Sequence, residues 1–158
     1  MSIARTVVLA ACALTLVSCA SKPTPPAKQA EAVKIAPKPA DESRRFPQAN
    51  LVSSEVVDSA LLGKPFMPGG TLARYKKGKT SYEMFVARAA SATDAAGKLS
   101  DWRKALTNPE FVPSFGGFFG QDAGRPLFVF SKGEWIAGVV GLSRSEADTA
   151  SRLLASRL

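Results

Sequence analysis

Two stretches of this chain carry patterns in the same order, and each order is met by a hairpin with a helix behind it. In the first, residues 71–76 and 80–88 read as strands on either side of Lys77-Gly78-Lys79, and a helix follows over about residues 94–106. In the second, residues 126–131 and 134–142 flank Lys132-Gly133, with a helix over about residues 145–157. Each turn holds glycine where a tight hairpin calls for a positive backbone angle. Leu72 then corresponds to Leu127, Tyr75 to Phe130, and Met84-Phe85 to Val139-Val140.

The helices follow from period and ends. Ala95, Leu99, Trp102 and Leu106 fall three or four apart, Ser91 or Thr93 can cap the start, and Asn108-Pro109 stops propagation. In the second copy Ser143 and Glu146 have capping-box spacing, and Ala147, Ala150, Leu154 and Leu158 form one stripe. Both stripes need a sheet to cover. Residues 127–130, Trp135-Ile136 and Val139-Val140 are almost continuously apolar, as in interior strands. The expected fold is α+β: an antiparallel sheet with two helices packed on one face, built from two strand-strand-helix units. Ahead of it, residues 51–62 form either a short helix capped by Ser53 or Ser54, or an edge strand, since Val56-Val57 favours extension.

Three regions of unlike composition organise the chain. Residues 1–18 hold Arg5 and then an apolar run over 7–17 that is too short to span a membrane. Residues 19–45 are rich in proline, lysine and alanine and lack apolar surface to bury, so they read as a semi-rigid tether reaching about 80 Å if fully extended. Residues 46–158 are long enough for one domain with a single core.

Leu16-Val17-Ser18-Cys19 resembles the lipobox of bacterial lipoproteins. The resemblance implies cleavage between Ser18 and Cys19 and a diacylglycerol on the Cys19 sulfur, making Cys19 the lipid-attachment residue. The other reading is an ordinary secretory signal that leaves Cys19 a free thiol; Cys12 departs with the signal, so no disulfide partner would remain. Two or three acyl chains on one residue make an anchor durable where a single chain does not. With Ala20 after the cysteine, the resemblance implies the periplasmic face of the outer membrane in a two-membrane bacterium, and otherwise the outer face of the cell membrane. From Pro68-Gly69-Gly70 through the second helix, the domain also resembles exported bacterial domains grouped as families of unknown function.

The formal charge of +8 is unevenly spread, and the domain keeps only a mild basic excess without a concentrated stripe. Export and this distribution argue against nucleic acid as a partner. The chain has no histidine, which removes imidazole bases, histidine triads and histidine-ligated metal, and acylated Cys19 would supply no thiolate. No cofactor or metal is expected. An enzyme would depend on carboxylates, lysine, tyrosine or a Ser-Lys pair, yet Glu55 with Asp58, and Asp94 with Asp101, have helix-surface spacing and no sign of converging across a cleft.

Two candidate binding features remain. Arg74, Lys76, Lys77 and Lys79 form the densest basic group, suited to anionic phosphates or carboxylates, although lysines at a turn also keep an edge soluble. Residues 111–120 set glycine beside repeated phenylalanine. Either they complete the core as a short bulged strand, or Phe115, Phe118 and Phe119 line an apolar groove. The resulting expectation is a membrane-anchored, noncatalytic binding or recruitment module whose partner is an envelope protein or peptidoglycan. A carrier of an apolar or anionic small ligand and a histidine-independent wall hydrolase are the alternatives.

Overall fold

The computed structural model describes residues 38–158; the expected signal and cleavage point, Cys19 and residues 20–37 lie outside the described residues. Seven strands and two helices follow in chain order. They are β1 (Leu51–Ser59), β2 (Pro68–Lys77), β3 (Thr80–Arg88), α1 (Ala92–Ala105), β4 (Thr107–Val112), β5 (Gly117–Asp122), β6 (Arg125–Lys132), β7 (Trp135–Val140) and α2 (Arg144–Ala155). One sheet holds all seven strands in the order β1-β2-β3-β7-β6-β5-β4, and every neighbouring pair is antiparallel. The fold is α+β, and both strand-strand-helix units are present, as β2-β3-α1 and β6-β7-α2. Of the two readings of residues 51–62, the edge strand is the one formed, followed by a single 3-10 turn at Leu61–Gly63.

The helices do not share a face, contrary to the expectation. Ala95, Leu99 and Trp102 of α1 pack with Leu72, Phe85, Leu127, Val129 and Ile136. Ala147 and Leu154 of α2 pack with Ala73, Tyr75, Met84, Phe128, Phe130 and Val139. Adjacent strand residues point to opposite faces, so the run Leu127-Phe128-Val129-Phe130 feeds both layers. A strand apolar on both sides requires two covers, and one helix lies on each.

The connections explain which helix takes which face. Four antiparallel steps separate β3 from β4, so these strands run parallel, and α1 is the crossover that joins them. Such crossovers are almost always right-handed, which commits α1 to one face. The other is left for α2 and for the chain ahead of β1. There residues 39–46 act as a strap over β2: the Thr71 hydroxyl donates to the Ala40 carbonyl and accepts from the Glu42 amide, and Phe46 is fully buried. Part of the segment expected as tether thus packs against the domain.

Glycine matters where strands close on neighbours. A side chain on Gly138 in β7 would collide with the Phe128 carbonyl and come within 2.7 Å of the Phe85 ring. Gly78 and Gly133 both have positive φ at their hairpin turns, as their positions predict.

Candidate functional site

The described surface has a half-open cleft of about 730 Å³ with an apolar floor. It opens on the α2 side of the sheet, where the β2-β3 hairpin extends beyond the helix. Tyr82 and Met84 of β3 and Leu142 after β7 form its floor, Ala150 and Leu153 of α2 one wall, and Pro47, Ala49 and Asn50 the other. Lys77, Thr80, Glu146 and Thr149 supply polar groups around this surface. Leu153 stays 48% exposed. A large apolar side chain held partly in water beside a concave surface marks a binding region more strongly than a scattered exposed residue does.

One side of the cleft is tied together by ring stacking and a hydrogen bond. Tyr82 stacks on Tyr75 with ring centres 4.8 Å apart, and the Tyr75 hydroxyl donates to the Pro47 carbonyl at 3.0 Å. The strap, the hairpin and the stacked rings therefore hold one wall together. Burial raises the Tyr75 phenol above its ordinary range, with Tyr82 adding to the shift, and burial also raises Tyr82. Across the cleft, the Ser143 hydroxyl donates to the Glu146 carboxylate at 2.5 Å and keeps it below the usual carboxylate range, helped by the Ser143 amide and the Lys77 charge. The cleft thus sets the Glu146 carboxylate, ionised at neutral pH, beside the Lys77 side chain and the neutral phenol of Tyr82.

The four expected basic residues do not act as a single cluster. Arg74 lies on the α1 side, 2.6 Å from Glu55 and 3.6 Å from Glu83, while Arg125 reaches Glu83 at 2.8 Å. Glu55, chiefly through its hydrogen bond, raises the Arg74 guanidinium above its ordinary range. Arg74 is therefore part of a row of alternating charges across β1, β2, β3 and β6, balanced by its neighbours. Lys77 borders the cleft; Lys76 and Lys79 are exposed but do not line it.

The three expected groove phenylalanines are also divided. Phe118 and Phe119 are adjacent in β5, so the strand pleat sends them to opposite faces. Phe118 packs with the α1 layer, and Phe115 and Phe119 with the α2 layer. Phe115 meets Phe128 and Phe130 at ring separations of 5.1 and 5.0 Å. Arg152, Arg103 and Arg144 lie over Phe115, Phe118 and Phe119 respectively. These rings complete the core and carry arginine caps. Phe115 alone borders a shallow hollow of about 480 Å³ with Lys132 and Arg152.

Most carboxylates of the described domain are committed to local partners. Glu110 holds Arg144, Asp122 holds Lys64, Glu134 holds Arg88, Asp101 holds Lys104 and Asp148 holds Arg152. Asp94 accepts from the Ala90 amide at the start of α1 and is held below the usual range mainly by that bond. No group of three or more potential metal ligands occurs among the described residues. No helix among them is long and apolar enough to cross a membrane.

Sequence pattern had pointed to Lys77 but not to the cleft. The overlooked signal was Leu153, which stands beside the Ala147-Ala150-Leu154 stripe and widens the apolar face of α2 past what the sheet covers. No protein-family model matches the chain, and no curated protein or solved structure matches it either.

Proposed function

We propose that the protein is a lipid-anchored cell-envelope module that binds or recruits another envelope component without catalysing a reaction on it. The lipobox-like Leu16-Val17-Ser18-Cys19 supplies the address: the periplasmic face of the outer membrane in a two-membrane bacterium, otherwise the outer face of the cell membrane. The observation that carries the binding role is the apolar-floored cleft between the β2-β3 hairpin and α2, with Leu153 half in water at its side. The Tyr75–Tyr82 stack and the Tyr75 hydrogen bond to Pro47 order one side of the cleft, which lowers the ordering cost of inserting a partner segment. The carboxylates described above are tied to cations or amides, which favours binding over acid-base turnover.

The cleft volume also falls in the range of small-molecule sites, about 300–1,000 Å³, which favours the carrier as second reading. In-cell photocrosslinking from Leu153, with Ser100 on exposed α1 surface as the control position, distinguishes the readings. Specific protein adducts from position 153 but not from position 100, lost when Thr149→Glu is added beside it in the cleft, are the expected result. A lipid or small-molecule adduct would support the carrier. Turnover of wall material abolished by one carboxylate or lysine substitution would overturn both. A Cys19→Ala form, compared in parallel, tells whether recognition depends on anchoring.

A further inference from the structure

Among the described residues the sheet ends at β1 and β4, and the two edges differ in kind. β4 is a poor template for another strand: Pro109 has no amide hydrogen, Asn108 has φ 52°, and the register with β5 shifts between Thr107 and Glu110. β1 is the reverse. Its pairing with β2 is unbroken from Ser53 to Ser59, and this stretch contains no proline, lysine or arginine. β1 ends the sheet, so part of its backbone hydrogen-bonding capacity points away from β2, and Ser53, Ser54, Glu55, Asp58 and Ser59 are exposed.

We infer that β1 pairs antiparallel with β1 of a second copy, about a two-fold axis through Val56 perpendicular to the sheet. Such an axis keeps each residue on its own face, so only residues of like alternation can oppose one another. Val56 is the midpoint of the regular stretch, and centring there uses all of it. Val56 then faces its own counterpart, Glu55 faces Val57 of the second copy, Ser54 faces Asp58, and Ser53 faces Ser59. No like charges are directly opposed, the two diagonal Glu55 carboxylates are each paired with their own Arg74, and each Ser54 hydroxyl can donate to a carboxylate. Centring on Glu55 would oppose two carboxylates and include the irregular pairing near Leu51, whereas centring on Val57 would shorten the overlap. The charge pattern and length of β1 thus favour this register for a second copy.

Cysteine crosslinking of the full chain in cells tests this register. Paired residues in antiparallel strands lie about 4.5–5.5 Å apart between Cα atoms, within disulfide reach. Val56→Cys should give a disulfide-linked homodimer on oxidation, beyond any background from the chain without the added cysteine. Ser54→Cys alone should not, because its counterpart would lie about 13 Å away along the strands, whereas Ser54→Cys co-expressed with Asp58→Cys should crosslink. Adding Ser54→Glu to Val56→Cys should lower the yield roughly tenfold, through two symmetric carboxylate contacts, and Asp58→Lys should restore it. A Val56→Cys chain that reacts with maleimide but stays monomeric overturns the inference. So does Ser54→Cys crosslinking to itself equally well, or Val56→Cys capturing a different protein in place of its own copy.

Discussion

The hydroxyl of Ser151 is buried in α2 without a hydrogen-bond partner, and it sits among side chains that face the sheet. Removing it relieves the cost of an unmade bond, so Ser151→Ala is expected to raise unfolding free energy by about 1 kcal/mol in urea titration. Two glycines give a contrasting pair. Gly138→Ala forces a methyl group onto the Phe128 carbonyl and the Phe85 ring and is expected to cost about 3 kcal/mol, whereas Gly97→Ala adds one to open space in α1 and should gain about 0.5–1 kcal/mol. The chain's two tyrosines give an optical readout, because both phenols are raised. In the folded protein, ultraviolet titration should show phenolate appearing above the ordinary value of about 10, and denaturant should bring both transitions back to it. The unfolded chain ionises first, so this stabilising contribution is complete below pH about 10 and is lost as pH rises through the folded values. Tyr75→Phe should flatten that alkaline loss.

Hairpins and helices were legible where local chemistry decides them. Gly78 and Gly133 specify turns, and the Ala95-Leu99-Trp102 spacing specifies a buried helix face. Residues 107–122 were harder: Asn108-Pro109 ends α1 but also opens β4, because an irregular edge strand tolerates the missing amide. The helix stripes did not reveal which side each would cover, since that depends on joining β3 to β4 across three intervening strands. The strap was hidden for a different reason. Residues 39–45 have a tether's composition, and the bonds that fix Ala40 and Glu42 come from a tertiary partner, Thr71. Its buried end is testable: Phe46→Ala should cost about 3 kcal/mol in chemical unfolding, while Arg44→Ala, at an exposed neighbour, should cost almost nothing.

At the scale of the whole molecule, two apolar layers share one sheet, with α1 closing one and α2 closing only part of the other. The uncovered part of that second layer becomes the cleft, so the site was only half legible: Lys77 is visible as charge, but its meeting with Tyr82, Leu142 and Leu153 depends on which face α2 occupies. If the cleft recruits a partner, Leu153→Glu should abolish capture while leaving the unfolding midpoint nearly unchanged, because that side chain is substantially exposed. The strap adds a mechanical consequence. Arg45 donates to the Arg157 carbonyl at 2.8 Å and lies 4.3 Å from the centre of the Trp135 ring, while Phe46 is seated in the core. A tug transmitted along the strap therefore meets a buckle instead of a swivel, because its end is held both in the interior of the sheet and at the turn that follows α2.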